Sequence, residues 1–118
     1  MTHHMSGEMQ QAAQDTQECA DLCSQTVMYC LEQGGAHAEP QHVRLLLDCA
    51  EVCRTSKDLM LRGSEFSGSV CGVCADVCER CAEDCARFTD DRQMQQCAEV
   101  CRRCAASCRT MAGMPRAA

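Results

Sequence analysis

Small apolar side chains recur along this chain at intervals of three and four, with Glu, Gln, Asp and Arg between them. The most regular member of the pattern is cysteine. Cys71, Cys74, Cys78, Cys81 and Cys85 follow one another at three, four, three and four residues, and Cys97, Cys101, Cys104 and Cys108 at four, three and four. Cys19 and Cys23 are four apart with Cys30 seven further on, and Cys49 and Cys53 are again four apart. With about 3.6 residues per turn, each set lies along one face of a helix. Four helices are predicted, over 7–33, 40–62, 64–88 and 90–111. Gly34 and Gly35 suit the end of the first, and Pro40, with Glu39 before it, fits the first position of the second. Gly63 ends the second, and Ser64 or Ser67 can cap the third. Thr89 is expected to cap the fourth, with Asp90 and Asp91 in its first turn, and Gly113 and Pro115 lie beyond its end. Short loops make sequential helices antiparallel neighbours. The expectation is an all-α chain, a single antiparallel four-helix bundle over 1–118 with a cysteine-lined core.

Each stripe extends by the same rule into a bundle seam. The first helix contributes Met5, Met9, Ala12, Thr16, Cys19, Cys23, Thr26, Cys30 and Gln33. The second contributes His42, Leu46, Cys49, Cys53, Ser56 and Met60. The third gives its five cysteines and Phe88, and the fourth gives Met94, Cys97, Cys101, Cys104, Cys108 and Met111. All fourteen cysteines fall on these seams. Segments 48–54 (DCAEVCR) and 96–102 (QCAEVCR) are near copies, and 74–78 (CADVC) is similar, as duplication of a helical hairpin would leave.

Composition changes the meaning of the pattern. Of the 118 residues, 15 are Ala and 14 Cys, whereas Val, Leu and Phe total 16 and Ile and Trp are absent. So little large hydrocarbon usually signals disorder, which the helical periodicity contradicts. Reduced Cys is a small hydrophobe and among the most buried residue types, so the thiols must supply part of the core. Net charge is -6, basic residues are not clustered, and three aromatics cannot stack many bases, so nucleic acid is not an expected partner. No apolar run reaches membrane-spanning length, and residues 1–17 lack the pattern of a signal peptide. The expected location is the cytosol, where thiols stay reduced.

The chemistry of the stripe selects among thiol functions. Disulfides within one stripe would be strained, because residues four apart hold their Cβ atoms about 5–6 Å apart against the roughly 3.5–4.5 Å a disulfide needs. Bridges between helices fit better, but disulfide scaffolds are normally secreted and loop-rich. Plain packing does not explain fourteen thiols, since Leu would bury more area. Iron–sulfur motifs wrap four thiolates around one centre, whereas Cys71 to Cys85 would spread along about 21 Å of helix. Zn(II) asks for four tetrahedral ligands. Cu(I) accepts two or three soft ligands, a demand that thiolates three or four apart on one helix can meet. About seven Cu(I) fill the seam if each thiolate pair serves one ion, and about fourteen or more if each thiolate is shared.

Methionine points the same way. An antiparallel bundle gathers Met5, Met9, Met60 and Met111 at one end, with Met114 nearby. Singly, each reads as an adaptable core residue; together they suggest a soft-metal mouth, because thioethers select Cu(I) or Ag(I) over Zn(II). The other end collects His37, His42, Phe88 and Met94. Its histidines are read first as loop and helix-start residues, with a ligand role the less favoured alternative. His3, behind Thr2 or Met1-Thr2 and followed by His4, could complete a square-planar Cu(II) or Ni(II) site, against the simpler reading of a disordered start.

With Cys19-x3-Cys23, Cys49-x3-Cys53, Cys81-x3-Cys85, Cys97-x3-Cys101 and Cys104-x3-Cys108 as its most specific elements, the chain resembles the bacterial copper storage proteins over about 8–113. The resemblance implies Cu(I) lined along the core, mostly on thiolate pairs, and a homotetramer; the absence of a signal peptide is similar to the cytosolic branch. The family carries Met or His near the bundle mouth. Thr26, Ser56 and Met60 stand where further thiols would fit, which implies a lower capacity. The expected function is copper storage by a binding protein, not an enzyme, exchanging ions with donor or acceptor proteins. A broader thiol buffer for Zn(II), Cd(II) or Ag(I) is the alternative. The expected metal ligands are the fourteen cysteines with Met5, Met9, Met60 and Met111.

Overall fold

The computed structural model describes residues 5–114; His3, His4 and Pro115 lie outside them. Four helices follow one another: α1 (Gly7–Gln33), α2 (Pro40–Leu61), α3 (Ser67–Ala86) and α4 (Arg92–Ala112), with a short 3-10 turn, Gly35–Ala38, between the first two. No strand occurs among the described residues. Backbones approach in the pairs α1–α2, α2–α3, α3–α4 and α4–α1, whereas across the diagonals the described helices meet only through core side chains such as Cys53 and Cys104, 3.7 Å apart. That closed ring around one axis is a four-helix bundle, a rod measuring 50 × 19 × 19 Å.

The helix ends follow local chemistry. Ser6 caps α1 by accepting the Met9 amide proton at 3.1 Å, with Glu8 in the first turn where a negative charge suits the dipole. Helix α2 opens on Pro40, whose missing N–H would have found no helical partner there. It closes in a Schellman motif: the Gly63 amide bonds Met60 O at 3.1 Å and the Ser64 amide bonds Leu59 O at 3.0 Å. That closure requires the positive φ of Gly63 (63°).

The α3 and α4 boundaries differ from expectation. Ser64 accepts the Phe66 amide in a local turn, and Ser67 is the first residue of α3, not its cap. At the far end the chain leaves α3 at Ala86, and Gln95 Nε2 bonds the Phe88 and Ala86 carbonyls at 2.8 and 3.2 Å. The cap of α4 is Asp91, two residues beyond Thr89. Its Oδ1 accepts the Met94 amide at 3.1 Å, while its Oδ2 is held by Tyr29 and His37. Carboxylates outrank Thr as caps, and the two additional partners fix this one in place.

The seams turn inward. Every cysteine is fully buried, as are Thr16, Thr26, Leu46, Ser56 and Met94, while Gln33, the last residue of the α1 stripe, is exposed. Alanines flank the thiols: Ala12, Ala20, Ala50, Ala75, Ala82, Ala98 and Ala105 are all buried. Small flanking residues allow close interaxial approach. Ion pairs such as Arg103–Glu18 at 2.7 Å and Arg109–Glu79 at 2.7 Å join neighbouring helices at exposed positions, where each contributes little. Replacing Asp91 with Ala should lower the stability of the metal-free bundle by about 1–2 kcal/mol, the usual range for a lost carboxylate cap. Thermal or urea unfolding followed by circular dichroism checks this, and an unchanged midpoint would contradict the capping role.

Candidate metal centre

The bundle brings thiols from all four helices into one column. Contacts within a helix, Cys19–Cys23 at 4.0 Å and Cys74–Cys78 at 3.9 Å, are no shorter than those between helices. Cys49 and Cys78 sulfurs lie 3.5 Å apart, Cys53 lies 3.6 Å from Cys74 and from Cys78, and Cys19 lies 3.7 Å from Cys101. Two four-sulfur groups result, Cys19–Cys53–Cys78–Cys104 and Cys19–Cys23–Cys49–Cys101, with all sulfurs of a group within 4.8 Å of one another. Cys74, Cys104 and Cys108 form a third group. Cys19 belongs to both fours, and Cys104 joins the first four to the three. Cys97 meets Cys23 at 4.0 Å. Cys71, Cys81 and Cys85 continue the column, all fully buried.

All fourteen cysteines are free. Metal–sulfur bonds of about 2.3 Å place sulfurs about 3.8 Å apart around a tetrahedral ion, about 4.0 Å around a trigonal one and about 4.6 Å across a linear one. The observed separations therefore already match three- or four-fold coordination of a soft ion; linear coordination needs the sulfurs to part slightly. Sulfurs on one helix and sulfurs across helices therefore offer coordination on equal terms.

Charge sets the chemistry of the column. Neighbouring thiols share protons unequally: Cys19 and Cys49 are lowered by hydrogen bonding with Cys101, whereas Cys53 and Cys78 are raised by bonding with Cys104. Fourteen closed-in thiolates cannot ionise together without cations. Binding metal must therefore expel protons.

One end of the column carries a mixed donor set. Cys30 Sγ lies 3.4 Å from His42 Nε2 and 3.6 Å from Met94 Sδ, and all three side chains are buried. His42 turns its other nitrogen, Nδ1, to Asp84 Oδ2 at 2.5 Å, and Arg87 Nε donates to the second Asp84 oxygen at 2.9 Å. A carboxylate behind an imidazole fixes ring orientation and raises ligand basicity, as it does for metal-bound histidines. Burial works against the Asp84 charge, but the bonds from His42 and Arg87 outweigh it and hold this carboxyl below its usual range. Burial, followed by the charges of Cys97 and Asp91, pushes Cys30 up from an ordinary 9.0 to about 11.

His42 and Met94 were not among the expected ligands, although both stand on seam positions. A histidine at a helix start is ordinary; its pairing across the bundle with Cys30 is what distinguishes it. The expected thioether end is assembled differently. Met60 and Met111 are buried, and Met9 and Met114 pack partly buried against the core. Met5 lies beside Lys57 and Leu61 in a shallow α1–α2 groove. Nearby, the Ser56 and Ser67 hydroxyls are buried and find no hydrogen-bond partner among the described residues. Thr26, by contrast, receives Gln93 Nε2 at 3.1 Å.

A family model described as copper storage protein matches residues 5–113. This chain belongs to the copper storage protein family. Its fold matches the Nmul_A1745 protein of Nitrosospira multiformis at a TM-score of 0.84 and 43% identity, over 89% of this chain and 94% of that one. It matches a Cu(I)-bound copper storage protein, BsCsp3, at 0.83 and 31%, over 90% and 99%. A cytosolic copper storage protein from Streptomyces lividans, with five coppers, matches at 0.79 and 26%, over 92% and 94%. An uncharacterized cysteine-rich protein of Bacillus subtilis, YhjQ, is 35% identical over 60 residues, and the match spans 51% of this chain and 56% of that protein.

A thiol raised by folding favours the folded state at pH below its unfolded value, and that contribution is lost as pH rises through the folded value. The metal-free protein should therefore hold its Tm up to pH near 9 and lose it between about 9 and about 11, with Cys30→Ser reducing the loss. Scanning calorimetry of the reduced protein across this range checks the sign; a rising Tm would contradict it.

Proposed function

We propose that this chain stores Cu(I), holding many ions along the bundle core on thiolates. The observation that carries the reading is the column itself: fourteen free, fully buried thiols, with sulfur contacts of 3.5 to 4.0 Å across four helices. The ligands are Cys19, Cys23, Cys30, Cys49, Cys53, Cys71, Cys74, Cys78, Cys81, Cys85, Cys97, Cys101, Cys104 and Cys108. His42 and Met94 complete the coordination of Cys30 at one end. Met60 and Met111, with Met9 and Met5 outside them, supply weaker donors at the other. The Cu(I) held by BsCsp3 supports the choice of ion.

The role is binding, not catalysis, because every thiol is closed off from any organic substrate. A reducing compartment such as the cytosol keeps the thiols competent. A homotetramer is the proposed assembly. Met28 and Leu31 on α1 and Leu47 and Leu61 on α2 are more than half exposed, and association would give them a surface to bury against. Sedimentation of the purified chain should give four times the monomer mass of 12.9 kDa.

A second reading, a broader buffer for Zn(II), Cd(II) or Ag(I), draws support from the four-sulfur groups, whose spacing suits tetrahedral Zn(II). Competition separates the two: Cu(I) should displace Zn(II) completely and resist a strong Cu(I) chelator.

Anaerobic titration of the reduced protein with Cu(I) should saturate at between about seven and about fourteen ions or more. Saturation at one or two would end the storage reading. Because Cys19 is shared by both four-sulfur groups, Cys19→Ser should lower the ratio more than Cys71→Ser. Ser56→Cys, which places a thiol where an unpartnered hydroxyl now stands, should raise it.

A further inference from the structure

Above the Cys30–His42–Met94 group, the end of the bundle is closed by side chains that the storage reading leaves without a role. The turn Gly35–Ala38 joins α1 to α2 through two residues of positive φ, Gly34 at 70° and Gly35 at 56°. Gly enters that region without strain, so the turn hangs on a soft joint. A side chain added at either glycine would meet open space, although the Gly34 amide is held by Cys30 O at 3.1 Å.

From this turn His37 reaches across the bundle end. Its ring centroid lies 4.2 Å from that of Phe88, in the α3–α4 connection, and 5.9 Å, edge-on, from that of Tyr29 on α1. Its Nε2 stands 2.9 Å from Asp91 Oδ2, and the Tyr29 hydroxyl donates to the same oxygen at 2.6 Å. Phe88 also lies 5.2 Å from the His42 ring. Contacts therefore run from solvent inward through His37, Phe88 and His42 to Cys30. Exposure falls along that path, from 20% for the His37 side chain to 2% for His42.

Resting on the storage reading, we propose that the Gly35–Ala38 turn is a lid over this end of the column. Phe88 is its shutter and Asp91 its catch, and lid opening sets the rate at which Cu(I) passes into and out of the core here. The catch is of suitable strength. The His37 bond to one partly exposed carboxylate and a few ring contacts each contribute modestly, enough to favour the closed state without locking it. The same carboxylate caps α4, so opening the lid removes His37 from Oδ2, where Tyr29 stays bonded, while Oδ1 continues to hold the helix that carries Met94.

A lid differs from a ligand in kinetics. It belongs to the barrier and not to the bound state, so weakening it speeds loading and unloading by the same factor. The test uses the full chain, reduced and anaerobic, in a stopped-flow instrument. Loading is followed by the absorbance of Cu(I) leaving bathocuproine disulfonate, and unloading by adding excess chelator to the copper-loaded protein. Phe88→Ala and His37→Ala should each accelerate both directions on the order of tenfold, with the copper-to-protein ratio and the equilibrium partition unchanged. Tyr29→Phe keeps the ring but removes the bond that positions Asp91 Oδ2 for His37, and should give about a two- to threefold acceleration. Circular dichroism of the metal-free variants confirms folding. His37→Ala and Tyr29→Phe alter the outer face alone, so they carry the test if Phe88→Ala unfolds. Wild-type rates in folded His37→Ala and Phe88→Ala would overturn the lid, as would a changed ratio or partition. Failure of the storage reading shows separately, as a low ratio in the unaltered protein.

Discussion

Sulfur packed in place of hydrocarbon is the constraint on which the rest of this structure depends. A protonated thiol is apolar enough to fill a core, and a thiolate is not. The same column is thus a hydrophobic seam while it keeps its protons and a cation site once it loses them. Alanine makes this arrangement possible. With Ala12, Ala20, Ala50, Ala75, Ala82, Ala98 and Ala105 beside the thiols, the helices draw close enough for cross-helix sulfur contacts as short as those along a helix. Larger flanking residues would hold the sulfurs apart and leave four separate stripes. The large fully buried side chains stand towards the ends: Leu46 and Met94 at one, Met60 at the other.

The two ends are built from different physics. At one, buried polar groups are all satisfied: His42 bonds Asp84, Asp84 bonds Arg87, and Asp91 holds Tyr29, His37 and the Met94 amide. Such a network fixes the imidazole with one nitrogen aimed at Cys30. At the other, thioethers fill space flexibly, and two buried hydroxyls, Ser56 and Ser67, have no partner among the described residues. Orientation is thus specified at the imidazole end and left adjustable at the thioether end.

Much of this was legible in the residue order because one periodicity specifies both the helices and the metal column. Any residue three or four positions from a cysteine on the same stripe inherits its burial, which is why Thr16, Thr26, Ser56 and Met111 were placed correctly without coordinates. Gln33 breaks the rule because it is the last residue of α1, where no neighbouring helix remains to cover it. The α4 cap was misplaced for a related reason. Thr89 and Asp91 are both competent caps, and the choice was made by Tyr29 and His37, residues from distant parts of the chain. The Cys30–His42–Met94 group was hidden in the same way. Each member was on its seam, but spacing along one helix carries no information about which residues of three helices meet at one height.

The dimensions of the rod have a consequence of their own. A bundle 19 Å across, with its sulfurs meeting on the axis, encloses a single column, and its length of 50 Å far exceeds its width. A site near Cys19, well inside, is therefore farther from either mouth than one beside Cys30 or Met111. The fold thereby grades its sites by depth as well as by donor, with thiols alone at the centre and imidazole or thioether beside them at the ends.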